Sequence, residues 1–280
     1  MKSLPIDVRL PLPPAGAGGP DRAYDVGNWE TDFLQTKEVL RSEFFGIAAE
    51  AKTVRYPIRM LRYWFGYHLL AAEYRRAGRP IDVVELGTHN GQMFVFARVG
   101  AATVSDPAQA LRWSSWLGID AALKRDVLAI AGYSELQDGN IEDADFRFDH
   151  PCDTAVCLHI FEHTADPAAA LRKIAAGVRP GGSVIGGSPV LPHFLVDLRE
   201  RQIRKTAQAF GHVTAFSPQR VKQVVESAVL ELEFISGAFF MRHKGFALEN
   251  SRTWLKLNLL WGKLFPWWPG EIHWLARKPD

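Results

Sequence analysis

The sequence predicts one doubly wound α/β domain with helical additions at both ends, and three observations carry that prediction. From residue 81 onward, short apolar runs alternate with segments of helical spacing, a pattern that pairs strands in parallel through right-handed crossovers. The first run, IDVVEL (81–86), leads through a glycine-containing turn into a helix beginning near Gln92, as the opening strand of such a sheet does. A length of 280 residues suits one elaborated domain rather than two.

The elements follow in order. Strand candidates after the first are SSWLGI (114–119), SELQ (134–137), DTAVCL (153–158) and GSVIGG (182–187). Helices are expected to start near Ala121 and Asp166. SPQRVKQVVESA (217–228) has helical spacing, LELEFISGA follows it as a strand, and EIHWLARK (271–278) is the final strand. Upstream, PIRMLRYWFGYHLLAAEYRRAG reads as a helix with Pro57 in its first turn and Gly78 at its end. Residues 31–79 are expected to be helical, and the Pro/Gly-rich residues 1–28 form an arm. The organisation is an N-terminal arm and helical cap over 1–79, then an α/β domain over 80–280 with a helical insertion at 251–270.

Composition narrows the class. Hydrophobic residues at 47% against 23% charged give the balance of an ordinary soluble protein. A formal net charge of +2 leaves no general nucleic-acid footprint, and no nucleic-acid partner is expected. Cys152 and Cys157 are too few for a disulfide framework or a zinc ribbon, which suits a reducing compartment. The expected location is cytoplasmic, since no run reaches the length of a membrane span and the proline-rich start does not resemble a signal peptide.

VVELGTHNGQ (83–92) is the most informative segment. A buried strand ends in a carboxylate, Glu85, and turns through Gly87 and Gly91 into a helix. Glycine is needed where backbone turns sharply or lies against a ligand. A dinucleotide site would read G-x-G-x-x-G to cradle a diphosphate, whereas here the turn reads G-T-H-N-G, so a nicotinamide oxidoreductase ranks last.

With the segments that follow, the chain resembles the class I S-adenosylmethionine (SAM)-dependent methyltransferases over roughly residues 80–190. WLGID (116–120) resembles the family's second strand, QDGNIEDADF (137–146) the segment after its third, and CDTAVCLHIFEHTADPAAALRKIAAGVRPGGSVIGGSP (152–189) its fourth strand, following helix and fifth strand. The resemblance implies a Rossmann-like, seven-stranded, mostly parallel sheet with one antiparallel strand near the edge. It implies SAM as cofactor, with Glu85, Gly87, Asn90 and Gly91 around the first turn, Asp120 accepting from the ribose hydroxyls, and Asn140 and Ile141 facing the adenine. Two departures stand out: His89 and Asn90 enlarge the turn, and the stretch between Glu85 and Asp120 is long, which leaves Asp106 as a rival ribose ligand.

The segment His159-Ile160-Phe161-Glu162-His163 resembles the E-x-x-E-H of quinone-biosynthesis O-methyltransferases, whose acidic residues and histidine help to hold a divalent cation. His replaces the first Glu, so His159, Glu162 and His163 are candidate metal ligands while the expected site holds no metal, and His159 is assigned to the cofactor. A zincin-type HxxEH would need one continuous helix, and here a strand runs up to the motif. His163 and His212 are the candidate catalytic residues, a neutral imidazole being able to accept a hydroxyl proton as the methyl arrives.

In SRTWLKLNLLWGKLFPWWPG (251–270), Trp254, Leu257, Trp261 and Leu264 share one helical face and Arg252, Lys256 and Lys263 another. This segment either packs on the domain as a lid, or touches a membrane interface through 251–268. The expected activity is methyl transfer to a small-molecule or glycan-like acceptor, most naturally at oxygen. The alternatives are a non-catalytic partner-binding scaffold and a membrane-surface enzyme acting on a lipid-linked or quinone-like acceptor. A homodimer is carried as an open assembly.

Overall fold

The structure, a computed structural model, describes residues 57–104, 110–206, 211–238, 251–268 and 270–280, together with Tyr24, Val26, Trp29 and Pro107; residues 57–60 and Arg252 are described by backbone alone. The rest of the arm, the helices expected over 31–56 and the candidate Asp106 lie outside the described residues.

Seven helices and seven strands are described. Helix α1 (Pro57–Ala77) leads into β1 (Ile81–Leu86), α2 (Gln92–Thr103), β2 (Trp113–Asp120), α3 (Arg125–Ala131), β3 (Glu135–Asp138) and β4 (Cys152–Leu158). A short 3-10 turn, Phe161–His163, is followed by α4 (Pro167–Gly177), β5 (Val178–Val190), α5 (Val196–Lys205), α6 (Pro218–Ser227), β6 (Glu231–Gly237), α7 (Arg252–Leu264) and β7 (Gly270–Arg277). The strands form one sheet in the order β3-β2-β1-β4-β5-β7-β6. β7 runs antiparallel to both neighbours and the remaining pairs are parallel. This is the seven-stranded doubly wound sheet the sequence predicts.

Both faces of the sheet are covered, which is why β1 and β4 are buried along most of their length rather than at alternate residues. Leu61, Trp64, Phe65 and Leu69 of α1 share one core with Met93–Ala97 of α2 and with Leu255 and Leu259 of α7. Leu171 and Ile174 of α4 share the other with Val221 and Val225 of α6. Trp29 from the arm stacks on His68 (5.0 Å) and meets Trp64 edge-on (5.3 Å). Cys152 and Cys157 on β4 are buried free thiols.

Two expected boundaries move. The helix expected near Ala121 starts at Arg125, because the Asp120 side chain accepts from the Ala122 N–H (2.9 Å) and turns the chain first. The strand expected over 182–187 starts earlier, at Val178, so the preceding Pro-Gly segment belongs to β5 and is absorbed as a register shift against β4.

The C-terminal insertion corrects the expected helical face. α7 buries Leu255, Asn258, Leu259 and Gly262, not the predicted stripe of Trp254, Leu257, Trp261 and Leu264; Leu257 and Leu264 point outward, 51% and 59% exposed. The inner face is set by backbone contact between Gly262 and Gly237 at the end of β6. A Cβ on Gly262 would lie 2.1 Å from the Gly237 carbonyl oxygen, and backbone cannot yield as a side-chain tip does. Gly262→Ala is therefore expected to cost about 1–3 kcal/mol by overpacking, read as a lower midpoint in urea denaturation.

Arg277, at the far end of β7 from the cavity described below, is paired with Glu73 (2.5 Å) and Glu233 (2.6 Å) and donates to Tyr24 Oη (3.0 Å), which in turn donates to Glu73 (2.9 Å). This ties the arm to α1, β6 and β7.

Candidate functional site

A cavity of about 960 Å³ opens at the carboxyl ends of β1, β2 and β4, the edge where open parallel sheets take their ligands. Its floor is the turn after β1. Gly87 has φ 71°, a left-handed conformation that side chains rarely adopt. A Cβ there would also come within 2.1 Å of Ile160 Cδ1. The Gly87 N–H donates to the Ile119 carbonyl (2.7 Å), so the turn is stitched to the end of β2.

The same turn orients Asp120. His89, with φ 47°, directs its N–H onto Asp120 Oδ2 (3.0 Å), while Oδ1 takes the Ala122 N–H. Asp120 lines the cavity in this fixed orientation. The bulky residue where a glycine was expected thus aims the neighbouring carboxylate through its backbone. Asn90 points elsewhere, accepting from Lys124 (2.9 Å), and Gly91 packs under Tyr133 and α3; neither is in the cavity wall.

Glu85 is buried in the wall. Loss of solvent pushes its pKa up to about 7, against the hydrogen bonds from Tyr133 Oη (2.5 Å) and Trp116 Nε1 (3.0 Å), which favour the ionised form. Asn140 and Ile141 line the side beyond Asp120. Their loop is braced at three points: the Gly139 N–H donates to the Asp120 carbonyl (3.1 Å), and Lys173 of α4 donates to the carbonyls of Ile141 (2.9 Å) and Asp143 (2.6 Å).

At the other end of the cavity stands His159, immediately after β4, with φ 60°, which is strained for a residue with a side chain. Its Nδ1 lies 2.9 Å from Glu162 and its Nε2 3.3 Å from Glu271 of β7, which in turn accepts from Arg62 of α1 (2.7 Å). Burial opposes the imidazolium, but the two carboxylates outweigh it and hold the His159 pKa above its ordinary value. Glu271, although buried, is held well below the carboxylate range by His159 and Arg62. His273, stacked on Phe65 (4.5 Å), is pushed down to about 3 by burial and stays neutral.

His163 lines the cavity, and its Nδ1 is 3.2 Å from the Gly211 carbonyl oxygen. A carbonyl can only accept, so Nδ1 carries a proton, and in the neutral tautomer it is Nε2 that holds the lone pair. His212 is exposed beside it, edge-on at 4.9 Å between ring centroids; burial lowers its pKa against the pull of Glu162. Glu162, His163 and His212 bring ligand atoms within 4.8 Å of one another. Of the candidate ligands His159, Glu162 and His163, the last two thus cluster with His212, while His159 is engaged by two carboxylates.

The structure therefore brings Glu85, Gly87, Asp120, Asn140, Ile141, His159 and His163 to one cavity and leaves Asn90, Gly91 and His212 beside it. Arg62, Tyr63 and Glu271 escape a reading of sequence. Arg62 and Glu271 meet across 209 residues, and no local pattern announces either one.

Residues 58–233 match the family described as Methyltransferase domain. A ubiquinone biosynthesis O-methyltransferase of Xanthomonas euvesicatoria is 29% identical over 106 residues, covering 36% of this chain. That match spans 44% of the relative's own length. Among solved structures, an SAM-dependent methyltransferase from Mesorhizobium loti superposes with a TM-score of 0.52 at 15% identity, over 78% of this chain and 98% of the other. A chain from the complex between the Trm112 methyltransferase activator of Haloferax volcanii and a methyltransferase superposes with a TM-score of 0.52 at 16% identity, over 90% of this chain and 99% of the other. The two structures share the fold; the family match, over well more than half of the chain and around this cavity, makes the protein a member of the methyltransferase-domain family, an enzyme that takes its methyl group from S-adenosylmethionine.

Proposed function

We propose that the methyl group goes to a hydroxyl oxygen of a small-molecule or glycan-like acceptor, with a polyphenol of the quinone-precursor type the first to try. The observation that carries this reading is His163, whose proton is committed to the Gly211 carbonyl so that Nε2 faces its surroundings as an acceptor. A hydroxyl must lose its proton as its oxygen is methylated, and a neutral imidazole in the cavity wall is suited to take it. SAM, when bound, supplies the electrophilic methyl. In this reading Asp120 accepts from the ribose hydroxyls, the turn at Gly87 gives the cofactor close approach to backbone, and Asn140 and Ile141 border the adenine. Glu85 stands beneath the cofactor as a buried carboxyl able to ionise as positive charge arrives. Arg62 and Glu271 hold His159, and the rate arises mainly from alignment of acceptor and methyl.

The test is transfer of labelled methyl from SAM to a panel of catechols, sugars, amines and thiols. Label on oxygen of hydroxyl acceptors is expected; transfer to amines or thiols alone would overturn the oxygen assignment. A polyphenol acceptor enters the panel because the Xanthomonas relative is a ubiquinone biosynthesis O-methyltransferase.

The Glu162–His163–His212 cluster favours a second reading, a divalent cation that polarises the acceptor oxygen. A carboxylate with two imidazoles suits a borderline metal better than magnesium. Activity lost on chelation and restored by one metal would select it.

A further inference from the structure

The outer side of α7 presents an exposed apolar face. Leu257, Leu260 and Leu264 are 51%, 54% and 59% exposed and fall on one helical strip spanning about 10 Å. Lys256 and Lys263 border that strip on one flank, and the half-buried Trp254 and Trp261 on the other. The helix then runs into Phe265, Trp267 and Trp268, half-buried and packed with Trp261 (4.4 Å to Phe265, 5.4 Å to Trp268). Residues 251–268 hold four of the chain's nine tryptophans and three basic residues, with no Asp or Glu. The opposite side of the helix is fastened to β6 through the Gly262–Gly237 contact, so the leucines are presented on a rigid support.

We propose that this face seats the enzyme on an anionic lipid surface. Leucines directed outward, cations on one border and indoles on the other form the arrangement that lies in a bilayer interface, where tryptophan takes the headgroup level and lysine the lipid phosphates. With 13 residues the helix is too short to cross a bilayer, and among the described residues no helix is long and apolar enough to do so. A second copy is the weaker occupant. Two such strips facing each other would bring the like charges of Lys256 and Lys263 from both copies together. The proposal is independent of which atom the enzyme methylates.

The experiment is flotation of the full chain with vesicles of phosphatidylcholine alone and with phosphatidylglycerol added. Wild type is expected to float with the anionic vesicles, and raising salt from about 0.05 to about 0.5 M should weaken that binding. The triple variant Leu257→Ser, Leu260→Ser, Leu264→Ser should bind roughly tenfold or more weakly, and Lys256→Glu should reduce binding mainly at low salt. An unchanged thermal midpoint and SAM affinity in the triple variant shows that the fold is intact. A wild type that stays unbound with both vesicles, or a triple variant that floats as well as wild type, overturns the proposal. So does a wild-type dimer that the triple variant converts to monomer without any lipid binding, since that assigns the face to a second copy.

Discussion

Replacing His163 by glutamine is expected to lower kcat toward hydroxyl acceptors about 100-fold while leaving the SAM dissociation constant within about twofold of wild type. The separation follows from position. His163 stands on the 3-10 turn beyond β4, with Nδ1 tied to the Gly211 carbonyl, and none of the cofactor-side groups Asp120, Glu85 or Asn140 bonds to it. Its loss removes a proton acceptor and leaves the cofactor pocket in place. A second readout distinguishes this role from shaping the loop. The deficit should shrink for acceptors with more acidic hydroxyls, which need less help in losing their proton, whereas a distorted loop would slow every acceptor alike. His212→Gln, exposed and outside the cavity wall, should cost only about threefold if His163 acts as a base. Equal losses at His163 and His212 would instead favour the cation reading, in which both imidazoles are ligands.

The legible part of this molecule is the part written in contiguous segments. The alternation of strands and helices from residue 81 predicted the sheet, because its central strands are buried on both faces and are therefore largely apolar. The turn at Gly87 was legible since a left-handed backbone under Ile160 admits glycine alone, and Asp120 was legible as the carboxylate ending β2. What remained hidden depends on contacts across the chain. Arg62 and Glu271 act on His159 from elements 209 residues apart, and nothing in PIRMLRYW or GEIHWLAR announces that meeting. The face of α7 was misread for a similar reason. Periodicity showed a stripe of Trp254, Leu257, Trp261 and Leu264, but the inward side was decided by two glycines, Gly237 and Gly262, whose missing side chains permit backbone contact. Hydrophobic patterning has no signal for a surface selected by absence. Asn90, whose place in the turn suggested the cofactor, accepts from Lys124, another contact that its own segment does not announce.

Asp120→Ala is expected to weaken SAM binding about 10- to 100-fold, equivalent to roughly 1.4–2.7 kcal/mol, in calorimetric titration. A carboxylate accepting from neighbouring hydroxyls forms charge-assisted bonds, each stronger than a neutral one, and water in the vacated space recovers part of the loss. The complication is that Asp120 also receives the backbone N–H groups of His89 and Ala122, so its removal loosens the turn that Gly87 begins. A double-mutant cycle separates the two effects. S-adenosylhomocysteine should lose affinity in the variant as SAM does, while an analogue lacking the ribose 2′-hydroxyl should bind wild type more weakly and lose much less on mutation. If the carboxylate serves only the turn, both ligands lose equally and the coupling is zero. Asp106→Ala provides the remaining contrast, because SAM affinity should be unchanged there if Asp120 holds the ribose. The outcome bears on His89 as well: a carboxylate that must be held by a left-handed His89 N–H makes that unusual turn part of cofactor recognition, and His89→Gly, which preserves the N–H and relieves the backbone, should retain binding.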